Sequence, residues 1–495
     1  MPSGPPQQPT QDAPEPQTPP VEGRGEVRLW LGLACLLGLV RFCNLGQWSL
    51  WLDEALTWAD AHHGDNYNWP GYALVRWTVE FLGETPSEFS LRLLPALAGW
   101  LAIPASWWAL QPWVGGRRAA LVALLVALSP WEVYWSQNAR FYTMVQLTSL
   151  LGAGFVLRGL LRNSIPTACL GLGVAALGAL LQLQAVIVSI ALAFGPALAW
   201  LLVKKWRSSE EGMDAEGAAQ LPTRVVRALV ALVFLAGLIV LPWALDVFQN
   251  YRQVKQDPPL ASLLHLVRST AYYLTPALSV AALIGALVIG RARDVRGCVL
   301  LGIVVCGAGC LALAGGFARS SAQYGLSFMP FICAVALWVT SLAPLDSRRS
   351  LRLAVVAVLC APLLAGLALY FTTQYGQRPR WEEAYGYVDS LRAEQDLILG
   401  MQAPVGEFYL VPGATDLRRP ELVLWCDRSR PRAWRAAAKN KKTVWVVVRP
   451  DFLSEWEPEA REAFEGFLRE SCRLQRRFPV RQEGRDLDVE VYRHR

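Results

Sequence analysis

The sequence predicts a mainly α fold: a polytopic transmembrane bundle of about eleven helices, then a small α/β domain on the extracytoplasmic side. Three observations predict it. The chain is 53% hydrophobic and only 18% charged, where soluble domains carry about a quarter charged residues. The apolar excess is gathered into runs of about 17–22 residues, the length a helix needs to cross about 30 Å of hydrocarbon. Lysine and arginine alternate from loop to loop, as a positive-inside topology requires.

The runs lie near residues 27–45, 92–113, 119–136, 143–161, 165–183, 185–203, 227–246, 272–290, 298–316, 322–343 and 352–371. Lipid offers a bare backbone no hydrogen bonds, so these runs must be helices. Between Arg162 and Lys204 the sequence is apolar with only Gln182 and Gln184 near its middle. One helix of that length would overshoot the bilayer, so a tight hairpin at the glutamines is expected. Residues 1–26, rich in Pro, Gln and Glu, are too polar to bury a core and read as a disordered cytoplasmic tail. The first apolar run starts late and follows acidic residues, unlike a cleaved signal peptide. Residues 27–371 form the membrane module and 372–495 the α/β domain. In that domain, Thr443–Val448 reads as a buried strand, Glu457–Leu468 as an amphipathic helix and Leu487–Tyr492 as an alternating strand.

If the N-terminus is cytoplasmic, every second loop should be basic. Those loops hold Arg24 and Arg28, Arg117 and Arg118, Arg158 and Arg162, Lys204 to Arg227, Arg291 to Arg296, and Arg348 to Arg352. The opposite loops are sparser, and the odd number of spans places residue 495 outside. These arginines account for the net charge of +7 and sit naturally against anionic lipid, so no nucleic-acid partner is implied.

The first outer loop, about residues 46–91, opens Gly46-Gln-Trp-Ser-Leu-Trp-Leu-Asp53-Glu54-Ala-Leu-Thr-Trp58. Its tryptophans suit the headgroup boundary. On a structural reading Asp53 caps a short interfacial helix and Glu54 favours its first turn. On a functional reading a carboxylate at the membrane surface acts as general base or metal ligand toward a lipid-tailed substrate. Farther on come Asn68-Trp-Pro70-Gly-Tyr72 and Ser90-Leu-Arg92-Leu-Leu-Pro95. The second outer loop reads Ser129-Pro-Trp-Glu132-Val-Tyr134-Trp-Ser136-Gln-Asn138-Ala-Arg140-Phe-Tyr142. An arginine there either snorkels or offers its planar fork to phosphate.

Taken in order, these segments resemble the GT-C superfamily of membrane glycosyltransferases, in its protein mannosyltransferase-like and lipid A aminoarabinose transferase-like branch. Gln323-Tyr324-Gly-Leu-Ser-Phe-Met-Pro330 is similar to a later segment of that branch, and Trp381-Glu-Glu-Ala-Tyr-Gly-Tyr-Val to the start of its outer domain. The resemblance spans roughly residues 27–400. Asn68, Asn138, Gln184 and Gln323 stand where relatives often carry titratable or cationic groups.

The resemblance implies a multi-pass protein of a bacterial cell membrane. It would move a hexosyl or pentosyl group from a polyprenyl-phosphate-linked donor to an acceptor hydroxyl on a lipid, glycan or protein, with inversion, on the extracytoplasmic face. Asp53 would be the base, with Glu54 orienting it or joining it on a divalent metal ion. Arg140, Tyr142, Arg319 and Tyr324 would bind the donor phosphate, and Arg92, Asn138 and Tyr72 would line the substrate cavity. The alternatives are a catalytically inactive relative that acts as a binding partner, given the replaced groups, and a secondary transporter. Against the transporter, no inverted repeat is visible and the acidic residues gather at one surface rather than at mid-membrane.

Overall fold

Every one of the apolar runs is helical in the computed structural model, which describes residues 24–63, 68–83, 85–208, 221–254, 259–317, 322–426, 443–482 and 485–494. Among the described residues, seven helices are long and apolar enough to cross a membrane, or nine if each of two bent pairs counts as one span. The remaining two runs are shorter: Arg24–Gly38 has 15 residues and Ile165–Leu181 has 17. The first is prolonged by a 3-10 turn at Leu39–Phe42. The chain is a multi-pass integral membrane protein. The expected N-terminal tail lies outside the described residues, except that Arg24–Glu26 already belong to the first helix.

Both bends have identifiable causes. Gly116–Leu128 and Pro130–Ser136 meet at 62° because Pro130 has no N–H for the Val126 carbonyl. The buried Arg41 side chain replaces the lost donors: its Nη2 donates to Val126 O at 3.0 Å and its Nη1 to Ala127 O at 3.1 Å. Leu263–Leu274 and Pro276–Ala292 meet at 99°, with Thr275 at φ +60° ahead of the proline. The hairpin at the glutamines is present. Ile165–Leu181 ends at Gln182, a single 3-10 turn spans Leu183–Ala185, and Val186–Ser208 follows. The Asn68 side-chain carbonyl accepts from Leu183 N at 3.3 Å, tying this hairpin to the first long loop.

Small residues set how closely the helices approach. A methyl group on Gly152 would stand 2.6 Å from the Gly171 carbonyl oxygen, so these two helices pack backbone to backbone, the usual basis of close contact in lipid.

Residues beyond the last span form a five-stranded sheet in the order Val423–Trp425, Leu397–Gly400, Val444–Val448, Val489–His494, Cys472–Phe478. The first three strands are parallel and the last two antiparallel. Val444–Val448 is wholly buried, as its unbroken apolar run implies. Helix Pro458–Ser471 turns Phe464 and Leu468 inward. Helix Trp381–Leu391 buries Trp381, Ala384, Tyr385 and Val388, which share one hydrophobic cluster with Trp58, Tyr72 and Phe141 of the loop segments. That shared cluster seats the C-terminal unit on the loop that carries Asp53.

Candidate functional site

The first long loop folds into two helices, Leu52–His63 and Trp69–Leu82. Consecutive residues on a helix point about 100° apart, and this separates the two adjacent carboxylates. Asp53 faces solvent, while Glu54 is completely buried. Glu54, not Asp53, serves the helix start: its Oε2 accepts from Trp51 N at 2.9 Å.

The rest of the Glu54 environment is cationic. Arg92 forks onto it, Nε to Oε1 at 2.8 Å and Nη2 to Oε2 at 2.9 Å. The Arg378 Nε lies 3.5 Å from Oε2, and Ala139 N donates to Oε1 at 2.8 Å. Burial alone would push the Glu54 carboxyl up, but the charges of Arg92 and Arg378 and these donors hold it at about 2. Arg92 in turn donates to the carbonyls of Leu45, Trp48 and Ser49, at 3.2, 2.7 and 3.0 Å.

This geometry bears on two residues named from the sequence. Both Glu54 oxygens are engaged by buried donors. Arg92 is fully buried, and its guanidinium is spent on Glu54 and backbone carbonyls. No group of three or more His, Cys, Asp or Glu placed to hold a metal occurs among the described residues. The residues present therefore do not fit an Asp53–Glu54 metal pair.

A second cluster forms around Arg140. A tight turn, with Arg140 N donating to Asn138 O at 2.6 Å, joins the helices Pro130–Ser136 and Tyr142–Leu161. Its Nη1 donates to Thr57 Oγ1 at 3.1 Å, and that hydroxyl donates to the Asp53 carbonyl at 2.8 Å. Burial would ease the proton from Arg140, but Tyr142, Asp53, Tyr72 and Tyr324 all act on its charge and hold it above the ordinary arginine value. Tyr72 is buried, and its hydroxyl is pushed up by that burial against the opposing pull of Arg140.

Tyr142 stacks edge-on against Trp135 at 4.6 Å and against Tyr324 at 5.9 Å. Gln323 Nε2 reaches its hydroxyl at 3.3 Å. The structure thus brings together Asp53, Tyr72, Arg140, Tyr142 and Tyr324, which are scattered through the sequence. Asn138 is buried beside them in the chain. Its Oδ1 and the Arg140 Nε are buried polar atoms with no hydrogen-bond partner among the described residues. Such atoms are uncommon and point to a group not supplied by the fold itself. Arg319 lies outside the described residues.

The site also contains residues that sequence reasoning missed. Arg378 is buried, donates from Nη2 to Gln137 O at 3.1 Å, and lies 4.6 Å from the Tyr134 ring centroid. Tyr409 donates to Glu88 Oε1 at 2.6 Å while accepting from Leu50 N at 2.8 Å. Arg418 pairs with Asp60 at 2.5 Å, and Trp58 Nε1 donates to Ala414 O at 3.0 Å. The one available signal was the basic Arg378-Pro-Arg380 step just ahead of Trp381. Nothing local marks Tyr409 or Arg418.

No protein-family model and no curated protein matches this sequence. Among solved structures, ArnT from Cupriavidus metallidurans in the apo state superposes with a TM-score of 0.51 at 16% identity, over 95% of this chain and 98% of that one. The Archaeoglobus fulgidus oligosaccharyltransferase, in complex with Zn and sulfate, superposes with a TM-score of 0.52 at 12% identity, over 92% of this chain and 72% of that one. Both proteins are GT-C superfamily members, and the resemblance carried by the loop segments converges on the same architecture. The chain is a multi-pass membrane protein with the fold of the GT-C glycosyltransferases.

Proposed function

We propose that this protein is an inverting membrane glycosyltransferase. It takes a sugar from a polyprenyl-phosphate-linked donor and passes it to an acceptor hydroxyl, on a lipid, glycan or protein, at the extracytoplasmic face. The observation that carries the reading is the placing of a solvent-facing carboxylate, Asp53, within electrostatic reach of the Arg140 cation and its ring of phenols. Asp53 takes the proton of the attacking hydroxyl. The acceptor oxygen bonds the anomeric carbon as the bond from that carbon to the phosphate oxygen breaks. The bonding pair leaves with the phosphate, whose growing charge is met by Arg140 and by hydrogen bonds from Tyr142 and Tyr324. Direct displacement inverts the anomeric carbon.

In this reading Glu54 is a positioning residue. Through Trp51 N on one oxygen and Ala139 N on the other, it fixes the segment bearing the base against the segment bearing the cation. Tyr72 and Asn138 are assigned to the cavity wall, and Arg319 to the phosphate. No step is routed through a metal ion, since Asp53 is the only member of the expected pair with a carboxylate to offer.

Transfer of radiolabelled sugar from polyprenyl phosphate by the protein in reconstituted liposomes tests the reaction; absence of transfer from a panel of such donors would overturn it. Arg140→Ala is expected to weaken donor binding by about 10–100-fold, the worth of one or two charge-assisted hydrogen bonds, with little change in melting temperature. Equal donor affinity in the folded variant would remove Arg140 from the site. The topology is a cytoplasmic N-terminus and an extracytoplasmic C-terminus. Reporter fusions after residues 215, 346 and 495 should read inside, inside and outside, and agreement between the 215 and 495 fusions would refute it.

A further inference from the structure

At the face that carries the N-terminus, three helices begin side by side: Arg24–Gly38, Gly116–Leu128 and Arg349–Phe371. Between them lies a partly open cavity of about 350 Å³. Its polar lining is Arg117, Arg118, Arg352, Glu26 and Thr340; the rest is apolar, including Trp30 and Val356.

The charges here sit at the wrong end of their helices. A helix N-terminus carries partial positive charge and favours anions, yet Arg117, Arg118 and Arg352 occupy first turns. Two acidic residues approach these arginines. Glu26 pairs with Arg117 at 3.1 Å and also accepts from Trp30 Nε1 at 3.4 Å. Asp346, an exposed residue, reaches Arg352 Nη1 only at 3.8 Å. The Arg352 Nε is buried with no hydrogen-bond partner among the described residues. Arg118 is held in place by Ser341 Oγ and by the Trp338 ring, 5.7 Å away. A topology signal needs only exposed basic residues in a loop; it does not need arginines gathered around a recess.

We propose that this cavity binds the phosphate of an anionic phospholipid from the adjoining leaflet. Arg118 and Arg352 would grip the phosphodiester, and the apolar wall of Trp30 and Val356 would take the first methylenes of its acyl chains. The volume falls within the range of small-ligand pockets, and a basic recess between spans suits an anionic headgroup. The mixed lining selects an amphiphile over a soluble ion. The inference rests on the membrane-spanning fold alone and is independent of the proposed sugar transfer.

The full chain in neutral detergent, titrated with phosphatidylglycerol, is expected to melt about 3–6 °C higher. Phosphatidylcholine at the same mole fraction should leave it unchanged. Arg352→Gln and Arg118→Gln should each remove more than half of the shift. Arg352→Lys should keep most of it, as should Arg296→Gln, which alters an exposed arginine of the same face. Native mass spectrometry of retained lipid gives a second readout should a variant melt too low to compare. The proposal would be overturned by an undiminished shift in both Gln variants, by an equal response to phosphatidylcholine, or by no shift at all. An equal shift from millimolar inorganic phosphate would assign the cavity to a soluble ligand and overturn the lipid.

Discussion

Glu54→Gln is expected to destabilise the protein by about 3–5 kcal/mol, the usual cost of removing one partner from a buried ion pair. The amide matches the carboxylate in shape but leaves the buried Arg92 and Arg378 without their shared counter-charge, with Glu88 still acting on Arg92. Thermal melting in detergent, with protease cleavage of loop 46–91 as a local probe, measures the loss. An unchanged melting temperature would show that the triad carries no stability. Replacing Arg378 by Leu in the same protein should restore part of it, because the surplus charge is then smaller. The pH dependence has a definite sign. The Glu54 carboxyl is held at about 2, below its unfolded value of about 4.3. Its contribution is therefore complete above about pH 5 and is lost as pH falls from there through about 2.

Asp53→Asn is expected to behave in the opposite way, with normal stability and transfer reduced by a factor of about 100 or more. Asn starts a helix about as well as Asp, and the Asp53 carbonyl, which Thr57 uses, is unaffected. Only the capacity to accept a proton and carry charge is lost. Steady-state transfer beside a melting curve distinguishes the two adjacent carboxylates: one variant should fail in the rate, the other in the fold. Near-wild-type transfer by Asp53→Asn would remove Asp53 from the chemistry.

The membrane architecture was legible because its determinants are local. A run of apolar residues must become a helix in lipid whatever surrounds it; the break at Pro130, inside a stretch read as the single run 119–136, was not anticipated. The strand at Val444–Val448 and the helix at Pro458–Ser471 were legible from their periodicities for the same reason. The division of labour between Asp53 and Glu54 was not. It depends on Arg92 and Arg378, which lie 38 and 324 positions from Glu54 in the chain, and no local pattern announces which of two neighbouring acids turns inward. The surroundings of Arg92 were hidden for a related reason. An arginine near a polar loop in sequence can be a clamp on backbone carbonyls, and only the spatial arrangement shows it.

The position of Arg378 has a bearing on biosynthesis. The loop holding Glu54 is synthesised early, after the first apolar run, whereas Arg378 emerges only after the run at 352–371. Until then Glu54 can find Arg92 but not its second cation, and Tyr409 has not yet arrived to cap Glu88 and Leu50. The earlier segment therefore waits for the later one to complete its charge balance. A ribosome stalled before residue 378, or a frameshift there, would yield a nascent chain whose first long loop is still unset, so translation through residue 378 becomes a checkpoint on what was made before it.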